Sequence, residues 1–187
     1  DGGPNLRGWR SDGAQVTVYE VPGSSETVAN DISNTGAVVG AFVQSGATLG
    51  FFEEAGMVSV LTAPAAAVTY ATGVNDWGQV VGQASADQSW AFLWDGTSYS
   101  TIEVPGAVSY GANDINNHSQ VVGSYWNSGD QLRGYLYEDG HVTTIHVPWA
   151  THTIATGLND HGHIVGTYLD EDGVATEFLY RKGRFSR

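Results

Sequence analysis

The chain has 187 residues, 41% of them hydrophobic and none of them cysteine, and it carries a formal net charge of −13. This composition is sufficient for a buried core, and it excludes a disordered acidic tail, a membrane-inserted segment (which needs roughly 20 consecutive apolar residues), disulfides and thiolate zinc sites. Nucleic acid is excluded as a partner, because Arg133 is the only basic residue between Ser11 and Arg181 and phosphate binding needs clustered Lys and Arg.

The first predicted element is an aromatic hairpin in residues 6–18, centred on Trp9. Its run from Arg7 to Gly13 matches a later run from Arg133 to Gly140, which lies in the middle of a longer unit. The early hairpin therefore predicts a leading half-unit.

Four full units follow, each with the same features in the same order. A Pro after an apolar residue is followed by an Ala, an aliphatic residue three positions later, a Val-Val-Gly or Ile-Val-Gly step, and an aromatic hairpin. The step glycines are Gly40, Gly82, Gly123 and Gly166, at intervals of 42, 41 and 43 residues; the alanines are Ala29, Ala71, Ala112 and Ala155; the hairpin aromatics are Phe51, Phe92, Tyr135 and Phe178. A constant period near 42 indicates a tandem array, whose recurring residues, Trp9 included, are predicted to be core.

Turn residues divide each unit into four short predicted strands. In the second unit these strands cover residues 70–75, 79–84, 90–94 and 98–104, with an Asp95-Gly96 hairpin turn before the last. The recurrent Ala and aliphatic residue, three positions apart, would lie on opposite faces of a regular strand, so both faces of the sheet are expected to be buried. An all-β fold follows, namely a β-propeller forming one domain over residues 1–187, with a β-solenoid as the alternative.

The number of blades stays open, because five aromatic hairpins accompany four glycine steps. A four-bladed ring would form if C-terminal strands completed the N-terminal half. Otherwise the chain has five blades, one of them short, or a partner chain supplies the missing strands and makes a homo-oligomer.

Three motifs resemble the HAF family of probable extracellular repeat proteins. The first spans residues 71–82 and 155–166, the second residues 91–96 and 178–183, and the third residues 101–107. The first and third units depart from the first motif, with Asn30-Asp31 and Asn113-Asp114 in place of Thr-Gly. The resemblance implies a secreted bacterial protein with a propeller-like fold, and it implies no activity and no catalytic set.

Asp31 and Asp114 are the candidate catalytic residues. They replace the glycines at 73 and 157, so carboxylates would alternate with glycines around the channel of a propeller. Such carboxylates could act as a glycosidase acid/base pair or hold a cation. Alternatively, the Asn-Asp pairs bond neighbouring backbone at a strand end.

Metal ligands are suggested at two places. His161 and His163 would point to the same side of an extended segment, as a zinc or copper pair could. Asp170 and Asp172 resemble a calcium loop only loosely, and an acidic hairpin tip explains them better. A structural cation such as calcium is the one cofactor considered.

Trp77, Trp126 and Trp149 break the period and fall in or beside turns. Exposed tryptophans in turns often stack on a ligand, and the flat apolar faces of sugars are common partners. Together with His118 and His161 they form the predicted ligand-binding set, although covering blade edges or a chain interface would also explain them.

No nucleophile, phosphate-loop or zinc-protease motif is present. The sequence therefore favours a secreted, non-catalytic binding or scaffold module for a polysaccharide or another extracellular polymer. A glycoside-hydrolase-like enzyme with channel carboxylates is the first alternative, and a structural element that assembles by strand sharing is the second.

Overall fold

The computed structural model describes residues 6–11 and 13–186, and over this part of the chain it is all-β. Asp12 of the first predicted hairpin lies outside the described residues. The strands are β1 (Gly8–Ser11), β2 (Val16–Tyr19), β3 (Glu26–Ile32), β4 (Val38–Gln44), β5 (Ala47–Glu54), β6 (Met57–Leu61), β7 (Val68–Val74), β8 (Val80–Ser85), β9 (Ser89–Trp94), β10 (Tyr99–Ile102), β11 (Ala107–Ile115), β12 (Val121–Asn127), β13 (Leu132–Glu138), β14 (His141–Ile145), β15 (His152–Leu158), β16 (Ile164–Leu169), β17 (Ala175–Arg181) and β18 (Arg184–Ser186). The described residues contain no helix that could cross a membrane.

Each unit of the sequence forms one antiparallel sheet of four strands, with the first strand innermost. Blade 1 is β3–β6, blade 2 is β7–β10, blade 3 is β11–β14 and blade 4 is β15–β18, while β1 and β2 pair separately. The inner strand of each of blades 2 to 4 packs against the second and third strands of the blade before it. The sheets are therefore buried between neighbours, as in a β-propeller, and the predicted fold class is confirmed.

The recurrent Ala, Gly and aromatic residue form one row across three strands. In blade 2, Ala71 pairs with Gly82, and Gly82 pairs with Phe92. A Cβ atom on Gly82 would overlap the Tyr70 carbonyl oxygen and lie 2.9 Å from the Phe92 ring. The same row occurs in the other three blades. The step residue is therefore a glycine because a backbone carbonyl of the first strand and the aromatic ring together occupy the space that a Cβ atom would need.

A β-bulge follows the recurrent Ala in every inner strand. In blade 2 the pairing shifts between Ala71 and Gly73, so Thr72 has no partner on β8. The extra residue interrupts the alternation of side chains between the two faces of the strand. Ala71 and Val74 therefore lie on the same face, and both pack in the hydrophobic cluster between blades 1 and 2. The expectation that they lie on opposite faces is therefore wrong. Burial of both faces is nevertheless found, because adjacent Val80 and Val81 belong to different clusters.

The unpaired bulge residue connects each blade to the next. Asn30 Nδ2 donates to the Ala71 carbonyl (2.8 Å), Thr72 Oγ1 donates to the Ala112 carbonyl (2.9 Å), and Asn113 Nδ2 donates to the Ala155 carbonyl (2.6 Å). The bulge thus turns one side chain per blade sideways, and this side chain fixes the spacing of the inner strands.

β1 and β2 occupy the place of the outer two strands of a further blade. The loop from β2 to β3 contains the same hydrogen bond as the loops that join complete blades. Val21 N donates to Thr27 Oγ1 there. The equivalent bonds are Ala63 N to Thr69 Oγ1 and Val147 N to Thr153 Oγ1. β17 and β18 pair within their own sheet, so C-terminal strands do not complete the N-terminal half. Trp9 is 65% exposed whereas its four counterparts are at most 4% exposed, so the expectation that Trp9 is core is wrong.

Gly82→Ala should destabilise the protein by about 3 kcal/mol or more, because the new methyl group cannot fit without a shift of the backbone. Gly129→Ala is the control, since its Cβ would meet only Asn127 Oδ1 at 3.4 Å, and we expect a change within about 0.5 kcal/mol. Urea unfolding of both variants measures the difference, and equal stabilities would contradict the packing described for the glycine step.

Candidate functional site

The turns between the first and second strands of the four blades meet at one end of the propeller, which we call the turn end. These turns cover residues 33–36, 75–78, 116–119 and 159–162. In blades 2 to 4, Asn75, Asn116 and Asn159 accept backbone N–H bonds from the residues two and four positions later. The turns border a cavity of about 310 Å³ whose lining is rich in Asn and Asp.

Four alternating Asn and Asp side chains join the turns of successive blades. Asn34 donates through its backbone N and Nδ2 to Asp76 (2.8 and 3.0 Å). Asn117 Nδ2 donates to Asp76 (3.0 Å) and to Asp160 (3.1 Å), and Asp76 N donates to Asn117 Oδ1. Hydrogen bonds from Asn34 lower the pKa of Asp76, and hydrogen bonds from Asn117 lower the pKa of Asp160, so both carboxylates are charged at neutral pH.

Asp31 and Asp114 line the same cavity, and each bonds backbone on its own strand and on the next blade. Asp31 accepts from Ile32 N and Val74 N, both at 2.8 Å. Asp114 accepts from Ile115 N (2.8 Å) and Leu158 N (2.9 Å). This is the backbone-bonding alternative that the sequence left open, here extended across the blade boundary.

Burial, opposed by the two backbone hydrogen bonds and assisted by the nearby Asp31 charge, raises the pKa of Asp114 to about 6. A carboxyl group with such a pKa could donate a proton near neutral pH, which is the property a glycosidase acid needs. The positions of the two residues therefore keep the catalytic prediction open.

Trp77, His118 and His161 occupy the same turn position in three successive blades. The Trp77 indole N–H donates to the Asn117 carbonyl (2.9 Å), yet 74% of this residue is exposed. His118 Nδ1 lies 4.0 Å from Asp160 Oδ1. The structure thus brings three of the five predicted ligand-binding residues to one rim, beside the charged Asp76 and Asp160.

Trp126 and Trp149 lie at the opposite end, where loops connect the blades, which we call the crossover end. Trp126 is 40% exposed and contacts His152 edge to face, with ring centroids 5.4 Å apart. Trp149 is 51% exposed and borders an apolar cavity of about 240 Å³ with Tyr168 and Phe185. These two tryptophans cannot join the turn-end rim, because whole strands separate them from it.

Residues around these tryptophans were not predicted from the sequence. Arg133 donates to the Thr151 carbonyl (2.7 Å), and burial, assisted by the Arg133 charge, lowers the pKa of His146. Only one signal pointed here, namely that Arg133 is the single basic residue in the middle of the chain.

The suggested metal ligands form two separate groups. The rings of His161 and His163 are 6.0 Å apart between centroids, and Asp170 Oδ1 caps its own hairpin by accepting from Asp172 N and Val174 N. Within the described residues, no group of three or more His, Asp or Glu side chains could hold a metal ion. The geometry adds no third ligand to either pair.

Comparison with solved structures supports the fold. The chain is similar to TolB from Acinetobacter baumannii (TM-score 0.70, 12% identity, 94% of this chain and 46% of that one). It is also similar to the β-propeller domain of the Trilobed protease from Pyrococcus furiosus, which has an open velcro topology (TM-score 0.60, 13% identity, 92% and 56%). A third similar structure is a mutant Aleuria aurantia lectin in complex with α-methyl-L-fucoside (TM-score 0.56, 12% identity, 97% and 69%).

The fold is that of a β-propeller. The chain spans about half the length of the first two of these structures, and identities of this size show the fold alone. No protein-family profile matches the chain, and no curated protein matches it. The propeller-like repeats implied by the HAF resemblance are confirmed, and membership of that family stays a prediction.

Asn117→Ala should cost about 2 kcal/mol of stability, because Asn117 bonds the turns on both sides. Asn34→Ala is the matched variant; Asn34 reaches only Asp76 through its side chain, so we expect about half that loss. Equal losses in thermal unfolding would show that the network does not join the blades.

The pH dependence of stability should contain a contribution from Asp114. Its folded-state pKa of about 6 lies above the ordinary value of 3.8. The protonated carboxyl therefore favours folding below about pH 4, and this advantage of about 2–3 kcal/mol is lost as the pH rises to about 6. Asp114→Asn should remove that fall in urea unfolding between pH 4 and 7.

Asp95→Asn is the control, because Asp95 should affect the pH dependence of stability in the opposite direction from Asp114. Backbone hydrogen bonds from Ser98 and Thr97 lower the pKa of Asp95, so its contribution to stability is present at neutral pH and is lost as the pH falls. If the Asp114 variant kept the wild-type pH profile, the raised pKa would be wrong.

Proposed function

We propose that this protein is a non-catalytic binding module for carbohydrate or another extracellular polymer, and that the turn end carries the principal contact surface. The observation that carries the proposal is that the Trp77 side chain is both hydrogen-bonded and exposed to solvent. Its indole is held by a hydrogen bond to Asn117, while 74% of the residue remains in solvent. A ring that is already fixed loses little conformational freedom when a ligand stacks on it.

The groups around Trp77 suit a polyhydroxylated ligand. A carboxylate can accept about four hydrogen bonds, and Asp160 accepts two from Asn117. His118 and His161 add further polar groups on the same rim. An aromatic platform beside ordered acceptors is the combination that a sugar ring needs, with its apolar face on the indole and its hydroxyl groups on the carboxylates.

The crossover end offers a second surface. Trp126 and Trp149 are exposed there, and Trp149 borders an apolar cavity. A long polymer could contact both ends of the propeller, whereas a single sugar could contact only one. Secretion, a bacterial source and membership of the HAF family belong to the same proposal, since they rest on the sequence motifs.

A glycoside-hydrolase-like activity is the second candidate, favoured by the raised pKa of Asp114 and by the cavity that it shares with Asp31. Against it, both carboxylates are engaged by backbone N–H groups of two blades. Such bonds suit a structural role, so binding without catalysis is the better proposal.

A glycan array with the wild-type protein and single Trp variants tests the proposed function. Trp77→Ala should weaken binding of any retained glycan at least about tenfold, which corresponds to about 1.4 kcal/mol. Trp9→Ala is the control, because Trp9 is also exposed (65%, against 74% for Trp77) but lies outside the predicted ligand-binding set.

Three outcomes would contradict the proposal in different ways. Absence of any retained polymer would remove carbohydrate as the ligand. Loss of binding in Trp149→Ala with wild-type binding in Trp77→Ala would move the site to the crossover end. Hydrolysis of a retained glycan, abolished by Asp31→Asn or Asp114→Asn, would replace the binding module by the enzyme.

A further inference from the structure

The inner strand of blade 3 departs from the repeat near its start. Two positions before the recurrent Ala, the other blades carry Thr followed by Val, Tyr or Ile: Thr27-Val28, Thr69-Tyr70 and Thr153-Ile154. Blade 3 carries Tyr110-Gly111 instead, and its inner strand β11 has nine residues where those of the other blades have seven. A complete blade packs on each side of blade 3, so this departure lies inside the array and not at one of its ends.

A cavity of about 190 Å³ lies along this part of β11. The described residues that line it are all uncharged, and its polar and aromatic members are Gln83, Ser109, Tyr110, Asn113, Ser124 and Trp126. A Cβ atom on Gly111 would lie 3.2–3.4 Å from three carbon atoms of the Gln83 side chain. A residue as large as its counterpart Ile154 would therefore displace Gln83, so the glycine gives the Gln83 amide its place in the cavity.

Three half-buried polar side chains of this cavity have no protein partner. Within the part of the chain that the structure describes, neither the Gln83 amide nor the hydroxyl groups of Ser109 and Tyr110 form a hydrogen bond. Ser109 lies directly opposite Trp126 across β11 and β12, so its hydroxyl group is beside the indole. Burial, assisted by the Glu103 charge, raises the pKa of Tyr110, so its hydroxyl group stays protonated. All three groups are therefore able both to donate and to accept hydrogen bonds from a ligand.

Ser124 and Trp126 are positioned by residues of blade 4. Asn113 Nδ2 donates to the Ala155 carbonyl (2.6 Å) and to Ser124 Oγ (3.4 Å), so Ser124 keeps its own proton for another acceptor. The ring of His152 packs against the Trp126 indole, and 40% of Trp126 is nevertheless exposed. The cavity thus has an aromatic wall that is already fixed, which reduces the loss of conformational freedom when a ligand binds.

We propose that this cavity is a subsite for one neutral pyranose ring, with the apolar face of the sugar on Trp126 and its hydroxyl groups on Gln83, Ser109 and Tyr110. This inference rests on the proposed function and deepens it, because it names the ligand class of the crossover end. A pyranose combines an apolar face with hydroxyl groups that both donate and accept, which matches an aromatic wall surrounded by amide and hydroxyl groups. An acidic sugar does not fit, since no lining residue could pair with its carboxylate and the chain has a net charge of −13.

Titration with the methyl glycosides of glucose, galactose, mannose, xylose and N-acetylglucosamine tests the subsite. We expect saturable binding of at least one of these probes by saturation-transfer NMR. Gln83→Leu and Tyr110→Phe, which remove only polar groups, should each weaken that binding at least about fivefold. Both variants should keep the wild-type midpoint of thermal unfolding within about 2 °C, because the removed groups have no partner in the described protein. A purely structural role would instead lower the midpoint.

Tyr137→Phe is the matched control, because Tyr137 packs against the same hydrophobic cluster as Tyr110 but does not line the cavity, and it should bind the glycoside normally. Absence of saturable binding by all five probes overturns the subsite alone if the glycan array still shows binding that depends on Trp77. Binding that is lost in Trp77→Ala but kept in Gln83→Leu and Tyr110→Phe also overturns it, since the glycoside would then lie at the turn end. Binding that requires Gln83 and Tyr110 supports the subsite even if no array ligand depends on Trp77.

Discussion

The close approach of a first-strand carbonyl and an aromatic ring to a bare glycine Cα is the constraint on which this propeller depends. At Gly82, the Tyr70 carbonyl oxygen and the Phe92 ring fill the space that a Cβ atom would need, and the pairing of Gly82 with Phe92 sets the register of the second and third strands. The same row places the recurrent Ala opposite that glycine. Four repetitions of this contact produce four sheets of the same shape, so their faces can stack in one regular arc.

The bulge next to this row converts a regular sheet into a connected array. The bulge leaves one residue of each inner strand unpaired with the second strand. In blades 1 to 3 the side chain of this residue (Asn30, Thr72 and Asn113) donates a hydrogen bond to the next blade. Asp31 and Asp114 follow two of these bulge residues, and they extend the connection to Val74 and Leu158. The residues that suggest catalysis in the sequence thus also hold the blades together, which is why binding is the better proposal.

The two ends of the propeller differ in chemistry because the repeat places different elements there. The turn end collects short Asx turns, whose side chains bond one another across blades and hold Trp77 against Asn117. The crossover end collects the connecting loops, which carry Trp149 beside an apolar cavity. A polar rim with a fixed aromatic ring suits sugar hydroxyl groups better than an apolar cavity does.

The sequence by itself determined the fold class, the four units, the strand order within each unit and the presence of a leading half. These features are local or periodic, so spacing and turn residues are sufficient to show them. It could not reveal the bulge, because a one-residue shift of pairing is decided by the neighbouring strand, and the predicted faces of Ala71 and Val74 were wrong for that reason. Only the tertiary structure showed that Asn34, Asp76, Asn117 and Asp160 bond in sequence across blades, and that Trp77 and Trp149 lie at opposite ends. Contacts between residues some 40 positions apart depend on how the blades stack, which no local pattern records.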